Sequence, residues 1–228
     1  MNKTEKQDQD PQLQKTPVSG SRFVPMLFST EMVKAILNGT KTETRRIINP
    51  QPFLNKFYSS ITGISEFYSI NGSHNNDIKL WNKFAKIKVN DIIWVRETFV
   101  KYDVFGKNGI ETEIEYKADE PSVKFKWKPS LFMPKDACRI FLKCVSVHVE
   151  RLQDIDKQSA INEGINEIHK SDVAVYQRYD LKEKLGTTNP IYSYQTLWQK
   201  INGRDSWYLN PFVWVYKFER IERPHDFR

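Results

Sequence analysis

The chain has 228 residues, of which 39% are hydrophobic and 28% charged, with a formal charge of +7. That length suits one elaborated domain or two small ones, and the balance is that of a soluble globular protein. No run approaches the roughly 18 apolar residues of a membrane span, and the first residues are too polar for a secretory signal and too acidic for a transit peptide. The modest positive excess makes nucleic acid or phosphate a plausible partner.

Residues 1–21 are polar, without periodicity, and read as a disordered tail; residues 22–228 read as the folded domain. "FVPMLF" is a short apolar strand. Ser29 or Thr30 caps a helix whose inner face is Met32, Val33, Ala35, Ile36 and Leu37, and Gly39 ends it. "ETRRII" is a strand running into the breaker Asn49-Pro50. Residues 51–82 hold scattered aromatics and Gly, Ser and Asn clusters, and read as an irregular insertion. "VNDIIWVRETFV" is a turn followed by a buried strand, and "GIETEIEYKA" with "SVKFKWK" forms the expected hairpin. "CRIFLKCVSVHVERL" is the longest strand. "DIDKQSAINEGI" is a short helix with an Asp cap, ending at Gly164. Residues 166–190 are polar, with a helix expected around Ala174 to Lys184. "YQTLWQKING" is a further helix and "NPFVWVYKFERI" a closing strand. Many short strands and few helices indicate an α+β domain or mixed β-barrel.

The two cysteines, Cys138 and Cys144, share one strand face in this reading. They are then ~20 Å apart at ~3.3 Å per residue, too far to pair. They read as buried apolar residues of a reducing compartment. In "VKFKWK", Lys124, Lys126 and Lys128 alternate with Val123, Phe125 and Trp127. The lysines are either a face for a phosphate backbone or charges guarding an edge strand. His74, His148, His169 and His225 are scattered without metal-ligand spacing, and no Gly-rich phosphate loop or GxSxG occurs, so no metal or cofactor is implied.

The segment "ILNGTKTETRRII" places six polar residues, four of them charged, between core-like flanks. This motif, with "VNDIIWVRETF", "VERLQDIDKQSAINEGI" and "LWQKINGRDSWYLNPFVWVYKFERI" in that order, resembles the ASCH (activating signal cointegrator homology) superfamily. It is especially similar to the longer members common in phages and prophages. The resemblance covers about half of the chain. It implies a PUA-like β-barrel in a bacterial cytoplasm, with insertions here near 51–82, 101–130 and 166–190. Many members are thought to bind RNA across the barrel cleft. A small bacterial branch similar around "KTETRR" and "AINEG" hydrolyses N4-acetylcytidine with a Lys, a Thr and a Glu. Those roles fall on Lys41, Thr44 and Glu163, and the motif's second Arg falls on Arg46. A nucleoside or RNA is the partner so implied. A non-catalytic RNA-binding module and a phage accessory protein that binds a protein partner are the alternatives.

Those residue types suit amide hydrolysis. A Thr hydroxyl needs a base; a Lys serves if burial or the cations Arg45 and Arg46 depress its pKa; a carboxylate orients the Lys or protonates the leaving nitrogen. Lys41 and Thr44 nevertheless have odd spacing, so on a regular strand they face opposite ways, and Thr42 is a second candidate hydroxyl. The plain alternatives are a solvated turn lysine, an ordinary strand threonine and a helix-end glutamate that opposes the dipole. One of the two neighbouring arginines must face inward and needs a partner or an anion. Glu97, on an apolar face, is a partner for Lys41 or Arg46 or one half of a structural salt bridge. Arg139 lines the cleft or the surface. Trp198, Trp207, Phe212 and Trp214 read as core, and Trp207, in the loop "GRDSWYLNP", is the one among them considered for base stacking.

Overall fold

Strand β1 (Phe23–Leu27) and helix α1 (Thr30–Leu37) form where the apolar run and the helical spacing place them. Gly39, at φ +78°, takes the left-handed backbone that ends α1 and leads towards β2 (Glu43–Ile47). This is a computed structural model that describes residues 22–59, 63–70, 73–74, 78–106, 109–121, 124–169, 173–181 and 185–228. The tail expected at 1–21, and Val123 of the basic stretch, lie outside those residues.

The insertion after β2 is regular rather than irregular. It forms an antiparallel sheet of β3 (Phe53–Ser59), β4 (Gly63–Ile70) and β5 (Ser73–His74). β6 (Ile92–Arg96) follows, with Ile92, Ile93 and Val95 fully buried, as a β-branched central strand requires. β7 (Phe99–Gly106) pairs with β8 (Gly109–Tyr116) from Phe99↔Tyr116 to Gly106↔Gly109. The expected hairpin therefore has a different partner. Among the described residues of "SVKFKWK", Lys128 bridges Phe99 of β7, while β8 takes β7 as its partner.

β9 (Phe141–Arg151) leads through a short turn to α2 (Lys157–Asn162). Asp156 caps α2 by accepting from the Ser159 backbone N at 2.7 Å. Among the described residues of the helix expected around Ala174 to Lys184, none is helical; 182–184 lie outside the described residues. That region is β11 (Val175–Gln177), held between β10 (Glu167–His169) and β12 (Gly186–Thr187), so interstrand pairing overrides the local pattern. α3 (Pro190–Asn202) starts earlier than its apolar spacing indicates, because Asn189 caps it and Pro190 is preset for the first turn. β13 (Phe212–Ile221) closes the chain's regular structure.

The main sheet is five-stranded and mixed, in the order β1-β6-β9-β13-β2, with β1 and β6 parallel. This corrects the expected barrel. Closure needs the first and last strands of that order to pair, and the sheet ends at β1 and β2 instead. The fold is α+β with an open sheet.

The chain divides into two compact units. One contains the residues up to Thr30, Asn90–Lys143 and Glu219–Arg228. Its core is built on Ile92, Trp94, Phe99, Met133, Phe141 and Phe227. The other contains Glu31–Val89 and Cys144–Phe218, with a core of Leu152, Ala160, Tyr194, Trp198, Val213 and Val215 among others. Cys138 precedes β9 rather than sharing it with Cys144, and both are buried and outside any disulfide. Burial pushes the Cys138 thiol up to about 11. Among the described residues no helix is long and apolar enough to cross a membrane.

Candidate functional site

Lys41 is fixed before its side chain does anything. Its backbone N donates to the Ala35 carbonyl at 2.9 Å, and it forms an antiparallel bridge with Glu163. Thr42 N donates to the Asn162 carbonyl at 2.9 Å, so the turn after α1 is stitched to the end of α2. Gly164, at φ +81°, permits this approach. A Cβ there would lie 2.8 Å from the Cβ atoms of both Ala35 and Lys41. Gly164→Ala should cost about 1–2 kcal/mol for the left-handed backbone and ~1–3 kcal/mol for the overpacking. Chemical denaturation checks this; a loss below about 1 kcal/mol would mean that the two turns are not pressed together as described.

The Lys41 side chain is wholly buried, and Glu163 is 2% exposed. The ammonium donates to the Glu43 carbonyl at 2.7 Å, the Glu163 carbonyl at 2.8 Å and Glu163 Oε2 at 2.8 Å. All three of its N–H donors are thus used. Glu163 Oε1 accepts from Arg45 Nη1 at 3.1 Å and from the Tyr194 hydroxyl at 3.4 Å. Arg45 also donates through Nε to Glu150 Oε1 at 2.8 Å. Glu43 Oε1 accepts from Asn162 Nδ2 at 3.1 Å and pairs with Lys217 Nζ at 3.0 Å. Arg45 is therefore an inward arginine partnered by carboxylates, and Arg46, on the other face of the strand, turns towards the cavity lined by Thr44.

Burial lowers the pKa of Lys41, against the raising influence of Glu163; Arg46 and Arg45 add to the lowering. Burial raises Tyr194 well above the ordinary phenol range, and Glu163 adds to that. The carboxylate of Glu163 at the C-terminus of α2 opposes the helix dipole, and the two cations facing it offset that cost.

Thr44 stands apart from the ion cluster. Lys41, Glu43 and Arg45 share one parity on the strand, Thr44 and Arg46 the other. Thr44 is 1% exposed, and among the described residues its Oγ1 has no hydrogen-bond partner. It lines a cavity of about 120 Å³ with Arg46, Glu163, Tyr194 and Trp198 among its walls. The structure thus brings Lys41 to Glu163 in direct contact, and Thr44 to Glu163 across one cavity. It forms no Lys41–Thr44 hydrogen bond. Thr42 is exposed at the turn.

The remaining expected site residues have other settings. Glu97 is 1% exposed and accepts Arg139 on both oxygens, at 2.9 and 3.1 Å. Arg139 also grips Asp119 at 2.7 and 2.8 Å, with its guanidinium 3.8 Å over the Tyr116 ring. This is a self-satisfied clamp within one unit. Burial raises the Glu97 carboxyl, although Arg139 opposes it. Trp207 is 7% exposed, packs edge-on to Tyr194 at 6.3 Å and belongs to the core, so its ring is not presented to a base. Lys124, Lys126 and Lys128 are exposed beside half-buried Phe125 and Trp127, with Phe125 stacked on Tyr102 at 5.2 Å. Their alternation survives without a regular strand.

Glu43, Glu150 and Tyr194 were not singled out from the sequence. Glu43 was legible, lying two residues from Lys41 on the same strand face. Glu150 and Tyr194 carry no local signal. Among the described residues no group of three or more His, Cys, Asp or Glu is placed to hold a metal ion. No family model matches the chain, and no curated protein or solved structure matches it.

Proposed function

We propose that the chain binds a nucleoside, free or within RNA, with one base or its acyl substituent in the Thr44 cavity. The observation that carries this is the Thr44 hydroxyl, buried in the cavity wall without a partner among the described residues. An unmet polar group of this kind costs about 1–3 kcal/mol, which a ligand's donor or acceptor would recover. At about 120 Å³ the cavity lies below the ~300–1,000 Å³ usual for whole drug-sized ligands, so it suits one ring or one acyl group. Arg46 and Glu163 add a donor and an acceptor in the same wall. The sequence resemblance to ASCH proteins supports the same reading, although the open sheet departs from their barrel.

Hydrolysis of an N4-acylated cytidine is the reaction that these residues suit. Thr44 Oγ1 would attack the acyl carbon, the C–N bond would break, and the amine would leave as cytidine after taking a proton. Water would then release the acid from the Thr44 ester. Lys41, whose pKa burial lowers, would be the base only after passing a proton to Glu163 Oε2 at 2.8 Å and turning from its present partners towards Thr44, because it does not line the cavity.

Incubation with N4-acetylcytidine, followed by separation of cytidine and acetate, tests the reaction; RNA binding measured against salt tests the recognition. Lys126→Ala should weaken every RNA by a similar factor and reduce the single-strand salt slope by about 0.7, while leaving any turnover of the free nucleoside unchanged. RNA binding without turnover leaves the non-catalytic module. Absence of both sinks the reading and brings the protein partner forward.

A further inference from the structure

α3 presents a second stripe to a second, larger pocket. Tyr194, Leu197, Trp198 and Ile201 line the Thr44 cavity, whereas Tyr192, Gln195, Thr196 and Gln199 lie round the helix from them. The pocket there has a volume of about 660 Å³, within the ~300–1,000 Å³ typical of small-molecule sites.

Its walls are preorganised. Tyr179 is held at both ends: its backbone N donates to Thr196 Oγ1 at 3.0 Å, and its hydroxyl accepts from the Asn166 N at 2.8 Å. The Arg178 guanidinium lies 5.3 Å from the centre of the Tyr192 ring and is itself forked onto Asp180 at 3.2 and 2.8 Å. That fork neutralises Asp180. In the lining itself Lys200 and Arg204 balance Asp180 and Asp205; with Arg178 counted behind Asp180, the pocket and its backing carry one net positive charge. Tyr208, 69% exposed, supplies a third ring at the rim.

We propose that this pocket is a nucleotide site: a base stacks on the tyrosine rings, Gln195 and Gln199 meet its edge, and Lys200 with Arg204 take the attached phosphate. Each part of the ligand has a matching part in the wall. Aromatic faces accept any base; Arg178 lies 5.3 Å from the Tyr192 ring and Lys200 5.8 Å from the Tyr179 ring, so a base takes the opposite face of either or the rim ring of Tyr208. A carboxamide offers a donor and an acceptor side by side, as a base edge does; Gln199 already gives one N–H to the Arg204 carbonyl and keeps its second N–H and its oxygen for a ligand. The cations would suit a phosphate poorly if Asp180 were unpaired, and the Arg178 fork removes that conflict. The site does not depend on the Thr44 cavity, so the two readings fail separately.

The test uses the full chain with AMP, adenosine and a single-stranded oligoadenylate in equilibrium binding measurements. AMP should saturate, and adenosine should bind about tenfold or more weakly. Lys200→Ala with Arg204→Ala, both exposed positions, should bring AMP down to the level of adenosine. Tyr208→Ala should weaken AMP and adenosine alike, by about tenfold. An oligoadenylate that binds more tightly than AMP, and loses affinity in the same variants, identifies a nucleotide within a strand; AMP binding at least as tightly identifies a free nucleotide. The paired variant should keep any N4-acetylcytidine turnover at the wild-type rate. Loss of AMP in these variants from a chain that hydrolyses no N4-acetylcytidine keeps this site and discards the hydrolytic one. Failure of both AMP and oligoadenylate to saturate, or binding undiminished in all these variants, overturns the proposal.

Discussion

Lys41→Met should destabilise the fold by about 3–5 kcal/mol, the cost of removing one partner from a buried ion pair. Methionine fills much the same space, so the loss comes from charge rather than from a cavity. Glu163 would keep Arg45 but lose its 2.8 Å ammonium contact, and two buried carbonyls, of Glu43 and Glu163, would lose their donor. Thermal and chemical denaturation measure this. A melting temperature unchanged within error would show that the ammonium is not buried as described. pH adds a check of sign. The pKa of Lys41 is lowered in the fold from its ordinary 10.5. Between those two values the unfolded chain binds more protons than the folded one, so the contribution of Lys41 to stability rises with pH across that window. The gap between wild type and Lys41→Met should widen there. Loss of activity in a Lys41 variant is evidence for catalysis only once this stability loss has been measured.

Thr44→Val should separate chemistry from folding. Valine is close in shape, and the hydroxyl it removes has no partner among the described residues, so the substitution should be neutral or stabilising by up to ~1–3 kcal/mol. If Thr44 is the nucleophile, N4-acetylcytidine turnover should fall by about 10²-fold or more, with the fold intact. If the hydroxyl only binds, affinity for the nucleoside falls and no turnover exists to lose. A clear destabilisation, above about 1 kcal/mol, would mean that the hydroxyl is satisfied in solution, and the observation behind the proposed function would be withdrawn.

Several elements were legible in the sequence alone because their causes are local. The apolar spacing before Gly39 makes α1, the Asp156 cap and Gly164 bracket α2, and the β-branched and aromatic run "FVWVY" starts β13. Odd and even positions along "KTETRR" already separated Lys41 from Thr44, and two adjacent arginines already implied that one needed partners. What tertiary structure decided depends on segments far apart in the chain. Whether the sheet closes depends on a pairing between its first and last strands, and no local period records that. Val175–Gln177 became a strand because β10 and β12 supplied its hydrogen bonds. Trp207 in a polar loop became core because Tyr194 and its neighbours enclosed it. Lys41 meets Glu163 across 122 residues, and Arg45 meets Glu150 across 105. A lysine is a solvated turn residue or a buried ion with a lowered pKa according to what excludes water from it. That exclusion comes from the ends of two helices and a strand brought together, which the residue's own neighbours in sequence do not specify.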